Sequence, residues 1–188
     1  MYEDYKQVYD ADPATGEYII DVKLDRFFDF YHPWDNSKFD RRDMHPELIN
    51  YLEDCSKEIP FSEGIAVRFE IESEEKSTEQ EQKLEQSFRY YFRYLIRTYK
   101  ERRKREYRHT AFLAVLALVL LFIANIVDAF LTKNAFSLTV IEGIFVGGWV
   151  FMWEAVYALG FHRPGERQKM KEAVRLLDAP LFFVYPGE

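Results

Sequence analysis

Hydrophobic and polar residues follow two rhythms in the first half of the chain and a different one in the second. Glu17–Leu24 (EYIIDVKL) and Gly64–Ile71 (GIAVRFEI) alternate and are rich in β-branched residues, which predicts two strands. Between them, Pro46–Ile59 repeats its apolar positions at helical spacing, with Leu48, Ile49, Leu52 and Cys55 on one face. Pro46 suits a first helical turn and Glu47 the positive end of the helix dipole. Cys55 reads as a small core residue on that face. Leu181–Tyr185 (LFFVY), far along the chain, is a third short strand. The expected class is α+β: a small sheet-plus-helix head, a long stalk helix, and the stalk continuing into a two-helix transmembrane hairpin.

The second half carries that hairpin signal. Ala111–Val127 (AFLAVLALVLLFIANIV) has Asn125 as its only strongly polar residue. Extended to Thr110 and Leu131 it covers 22 residues, enough at 1.5 Å per residue for a hydrocarbon layer of about 30 Å. Leu138–Phe161 is a second run of 24 residues, interrupted by Glu142 and Glu154. The short Thr132–Ser137 connection makes the two antiparallel. No polar stripe divides the first run, as a surface helix of a soluble domain would require. Upstream, Ser77 and Thr78 followed by Glu and Gln offer a helix start, and no Gly or Pro occurs from there to Gly143. One continuous helix of roughly 80 Å is therefore expected, from Thr78 through the first run. Its aromatic stripe, Phe88, Tyr91, Phe92, Leu95 and Tyr99, is expected to pack on the head or on a partner helix. The organisation predicted is head 1–76, stalk 77–109, hairpin 110–161 (spans 110–131 and 138–161), and a helix and strand over 162–188 returning to the head.

Charge sharpens this division. Residues 1–88 hold 10 Lys/Arg and 23 Asp/Glu, a balance of −13; residues 89–188 hold 15 and 9, a balance of +6. An acidic head argues against nucleic-acid binding, which needs clustered cations. The single cysteine excludes an internal disulfide framework and a Cys-based zinc site. The first twenty residues are acidic and lack an apolar core, so no signal peptide is expected. Basic residues crowd both inner ends of the runs, while the connection holds only Lys133. By the positive-inside rule both termini face the cytoplasm of an inner (plasma) membrane that the chain crosses twice. Lys100, Arg102, Arg103, Lys104, Arg105 and Arg108 would then contact anionic lipid headgroups.

Ionisable groups inside apolar runs are costly and draw first attention. Gly143, Gly147 and Glu154 share one helix face, and Gly143-x-x-x-Gly147 permits close helix approach. Glu154 is thus expected in a packed interface, at the level of Ala114, Val115 and Leu116 on the first run, where no cation stands. Asp128 and Glu142 are expected at similar depth near the outer ends, with Lys133 able to bridge them, and Asn125 as a contact between helices. In the head, His32, Asp35, Asp40, Asp43 and His45 fall in one loop, but without the central Gly of a calcium loop or an H-x-x-x-H pair. The expected role is a rigid connection in which Asp40 and Asp43 pair with Arg41 and Arg42 or cap the next helix. His109 and His162 stand at the inner ends of the runs, too near water to suggest haem. No phosphate loop, dinucleotide fingerprint or nucleophile motif is present, and no cofactor or metal is expected.

Three segments carry a resemblance: Phe39–Leu52 (FDRRDMHPELINYL), Phe88–Tyr94 (FRYYFRY) and Gly147–Glu154 (GGWVFMWE). Together they resemble a group of uncharacterised bacterial two-span membrane proteins with a small cytoplasmic N-terminal domain. The resemblance implies architecture and a bacterial or archaeal origin, and no reaction. This chain departs from it after the second run, where Ala158–Pro164 stands in place of Arg/Trp-rich sequence. The expected function is a non-enzymatic membrane anchor or accessory subunit whose acidic head recruits a cytoplasmic partner. The alternative is a homo-oligomeric ion or proton channel built on the Gly143/Gly147/Glu154 face.

Overall fold

The computed structural model describes residues 5–36, 42–73, 75–130, 134–160 and 164–186. Nine elements follow in order. A short helix α1 (Tyr5–Val8) precedes β1 (Tyr18–Leu24), and a 3₁₀ turn (Phe27–Phe30) leads towards α2 (Pro46–Glu58) and β2 (Ile65–Ile71). Then come α3 (Thr78–Phe130), α4 (Ala135–Gly160), α5 (Pro164–Asp178) and β3 (Leu181–Val184).

The three strands form one sheet in the order β1-β2-β3. All pairing is parallel: Tyr18 to Leu24 run opposite Ile65 to Ile71, and Val67 to Glu70 run opposite Leu181 to Val184. Parallel neighbours need a crossover, which α2 supplies between β1 and β2. The crossover between β2 and β3 contains α3, α4 and α5, so the whole apolar hairpin is inserted into a βαβ connection.

Central strand β2 is buried at every position except Arg68 and Glu70, as expected for a parallel strand covered on both faces. Its Phe69 is the hub of the core. The ring lies 6.0 Å from Phe30, 6.3 Å from Phe88 on α3 and 5.7 Å from Phe183 on β3. Along α3, Leu84, Phe88, Phe92 and Ile96 are buried at four-residue spacing, so the aromatic stripe packs on the sheet module. Tyr91, Leu95 and Tyr99 flank that stripe half-buried. Cys55 is buried on α2, whose N-terminus is capped by His45: the imidazole Nδ1 accepts the Glu47 amide at 3.3 Å. The cap expected from Asp43 therefore falls to His45. Asp43 instead donates its backbone amide to the Asp35 carboxylate, and Arg42 lies over the Phe28 ring. Asp40 and Arg41 lie outside the described residues.

The segments flanking the hairpin are tied together by polar contacts as well. Arg175 of α5 donates to four backbone carbonyls, Ser56 and Ile59 at 2.8 Å, Pro60 at 3.0 Å and Glu63 at 2.8 Å. Arg89 of α3 donates to the Leu177 carbonyl, and the Tyr185 hydroxyl donates to Glu81 at 2.6 Å. Accordingly, the chain divides into two compact units, Met1–Arg97 with Lys169–Glu188, and Thr98–Gln168.

Within the second unit, α3 and α4 are each long and apolar enough to cross a membrane. In the most apolar 18-residue window only 22% of positions are buried for the first and 11% for the second. A core helix of a soluble domain would be mostly buried. Here Phe112, Phe122, Trp149 and Trp153 point outward. The buried positions are mostly small: Thr110, Ala117, Ala124, Ser137, Gly148 and Ala155, with Leu113 the large exception among the described residues.

Candidate functional site

Charged side chains gather at the end of the helix pair that holds Thr110 and Tyr157. On α3, Arg105 and His109 lie one turn apart, as do Glu106 and Thr110, so four neighbouring positions present one patch. On α4, Glu154 is followed at helical spacing by Tyr157 and Ala158. Together they line a cleft of about 440 Å³, within the range of small-molecule sites.

One guanidinium, two carboxylates and an imidazole are among the groups that line the cleft. The Thr110 hydroxyl is engaged, donating to the Glu106 carbonyl at 2.9 Å. Among the described residues no side-chain hydrogen bond or ion pair forms at Arg105, Glu106, His109 or Glu154. Nor does any group of three His, Cys, Asp or Glu residues there approach metal-binding geometry. The arrangement presents separate positive and negative groups to a ligand, with an apolar wall alongside.

The level of Glu154 therefore differs from the one counted along the sequence. It faces Arg105–Thr110 in an open cleft rather than Ala114–Leu116 in a packed interface, and its side chain is exposed. Register in an antiparallel helix pair is set where the backbones meet. That point is Gly148, where an added Cβ would lie 2.9 Å from the Leu121 side chain and 3.3 Å from the Ala117 carbonyl. Gly143 and Gly147 have nothing within 4 Å of such a Cβ, so neither lies between α3 and α4. Gly-Gly at 147–148 carried the signal, but the choice between neighbours depends on how α4 is rotated.

Towards the connection between α3 and α4, Asp128 and Glu142 are both exposed, and Lys133 lies outside the described residues. Asn125 does not reach across to α4; its amide donates to the Leu121 carbonyl of its own helix at 2.7 Å. Helix α4 opens with a reciprocal cap: the Asn134 side chain accepts the Ser137 amide at 2.8 Å, and the Ser137 hydroxyl accepts the Asn134 amide at 3.1 Å. Of the basic stretch, Lys100, Arg102, Lys104, Arg105 and Arg108 are exposed. Arg102 pairs with Glu166 at 3.4 Å, and half-buried Arg103 stacks on Tyr107.

A second cleft, of about 530 Å³, runs along β1 and the start of α2 past Lys23, Asp29, His45 and Tyr51. Its Tyr51 hydroxyl donates to the Asp21 carbonyl at 2.8 Å, and burial together with nearby Cys55 pushes the phenol up to about 12. Asp21 is bound to Arg68, so the acid there is already compensated. Comparison with protein-family models, with characterised proteins and with solved structures finds no match to this chain.

Proposed function

We propose that this chain is a two-span protein of the inner membrane, with both flanks of its hairpin in the cytoplasm, acting as a non-enzymatic anchor or accessory subunit. The observation that carries the reading is the pairing of β3 with β2. Strands before and after the hairpin share one sheet, so a hairpin that enters a bilayer must leave and return on the same side. The excess of Lys and Arg beside both inner ends supports the cytoplasm as that side. The outward apolar surface of α3 and α4 supports lipid, or the helices of a partner, as their surroundings. The acidity of the first 88 residues supports a basic cytoplasmic partner for the module.

The test is thiol labelling in a Cys55→Ala background. A cysteine at Phe136, which is exposed beside the connection, labels with an impermeant reagent from outside, and cysteines at Ser62 or Lys169 label only once the membrane is opened. The reverse pattern removes the topology and the recruitment with it. Native purification followed by mass spectrometry then shows whether a stoichiometric cytoplasmic protein accompanies the chain.

A second reading, a homo-oligomeric channel, is favoured by one feature. Gly143 and Gly147 present a small-residue face with open space before it, where a second copy could pack. Proton or cation flux in vesicles decides between them, and wild-type protein at lipid background eliminates the channel.

A further inference from the structure

We propose that the cleft between Arg105, His109 and Glu154 is a binding site for an amino-phosphate group, the ethanolamine phosphate headgroup of a membrane lipid. The inference rests on the membrane reading of the hairpin and adds a ligand to it.

The choice of ligand follows from the charges present. Two carboxylates, Glu106 and Glu154, and one guanidinium, Arg105, line the cleft. A purely anionic headgroup would bring its phosphate to Arg105 but meet two uncompensated acids. A bare cation would satisfy the acids and leave Arg105 repelled, and the described residues offer no metal-binding cluster. A zwitterion answers both, with phosphate on Arg105 and His109 and a cationic amine on the carboxylates. A primary amine also donates hydrogen bonds to a carboxylate, which a quaternary amine cannot, and charge-assisted bonds of that kind are the stronger ones. The volume of about 440 Å³ exceeds what an ion or a few waters need. The position agrees as well: the cleft lies where the basic stretch ending at Arg108 meets the apolar run from Ala111, the level of headgroups in a bilayer. Tyr157 and Ala158 supply the wall along which the lipid's glycerol region would lie.

The test uses the full chain and begins with flotation on phospholipid vesicles. Failure to float overturns the membrane reading, and this site with it. Protein that floats is stripped of lipid in detergent and titrated with phosphatidylethanolamine, phosphatidylcholine or phosphatidylglycerol, with bound lipid read by native mass spectrometry. Wild type is expected to retain the ethanolamine lipid about tenfold over the other two, the scale of one charge-assisted hydrogen bond. The variants then separate the two halves of the site. Glu154→Gln should collapse the preference for ethanolamine over choline while retaining phosphate binding. Arg105→Gln should weaken both zwitterionic lipids alike and keep their ratio. Equal retention of all three lipids by wild type, or preference for phosphatidylglycerol, overturns the site while leaving the membrane reading intact. Soluble O-phosphoethanolamine competing as strongly as the lipid would overturn the assignment to a membrane component.

Discussion

The sheet module and the helix pair bury different kinds of residue, and the contrast supports the membrane reading proposed for the hairpin. In the module the fully buried side chains are large: Phe30, Phe69, Phe88, Phe92, Leu52 and Leu176. In the helix pair most of the large ones face out, with Phe122 at 68% and Trp153 at 67% exposure, and apart from Leu113 the buried residues are small: Thr110, Ala117, Ala124, Ser137, Gly148 and Ala155. Water drives large apolar groups together, so a soluble core concentrates them. Where the surroundings are themselves apolar, that drive disappears and helices associate through close backbone approach, which small residues allow. On the membrane reading one chain follows both rules, and the change falls along α3 between buried Ile96 and outward-facing Phe112.

The most forceful way to break this contrast is to remove a large group from each region. Phe69→Ala should cost about 3–5 kcal/mol, because its fully buried ring packs beside buried Phe30 and Phe88 and half-buried Phe183 and the cavity cannot collapse. Phe122→Ala, in detergent or lipid, should cost less than about 0.5 kcal/mol, as for a surface position. Denaturant unfolding of the full chain, followed by near-UV circular dichroism, reads both; comparable losses would end the distinction.

Next in size is Arg175. Its guanidinium binds four carbonyls at the turn after α2, and no other side chain type has enough donors in a planar fork to replace it. Arg175→Met should destabilise the module by about 2–3 kcal/mol through unsatisfied buried carbonyls. Arg175→Lys should restore only part of that loss, and limited proteolysis within Ile59–Gly64 would report the loosened turn. A full rescue by lysine would show that charge alone matters there.

The glycine pair sharpens the comparison inside the hairpin. Gly148→Leu drives a branched side chain into Leu121 and should cost about 1–3 kcal/mol. Gly147→Leu meets open space and should leave the helix pair intact. The denaturation midpoint of each variant in detergent, followed by circular dichroism, gives the readout for the helix pair. Particle mass in mild detergent reports separately whether Gly147→Leu weakens assembly between copies; an unchanged mass counts against that face as an interface.

The smallest expected effect is one of pH. Tyr51 keeps its proton up to about 12, chiefly because burial disfavours the phenolate. The phenol of Tyr9 is raised as well, by burial and its contacts with Cys55 and Glu58. An unfolded chain releases these protons near pH 10. Between roughly pH 10 and 12 the native state therefore binds more protons than the unfolded one, and stability falls as pH rises. Below pH 10 both states are protonated and the contribution is fully present. Tyr51→Phe should flatten the alkaline decline, checked by urea midpoints together with phenolate absorbance; an unchanged slope would exclude Tyr51 as its source.

Much of the local structure could be read directly from residue order. Strand positions in Glu17–Leu24 and Gly64–Ile71, the α2 face with Cys55, and the uninterrupted helix from Thr78 follow from periodicity and from the spacing of Gly and Pro. These depend on a residue and its near neighbours along the chain. The return of Leu181–Val184 to the sheet could also be anticipated, because the expected orientation put both flanks on one side.

What only the tertiary structure decided is relative rotation and register. Parallel pairing, the choice of Gly148 over Gly147, and the placing of Glu154 in one cleft with Arg105 and His109 all depend on how one element is set against another. A helical residue turns through about 100° per step, so adjacent positions of equal propensity can face a neighbouring helix or open space. Their roles separate only when a second backbone arrives. The same holds for Arg175: in the sequence it is one of five cations after the hairpin, and four carbonyls at the end of another helix make it a structural anchor.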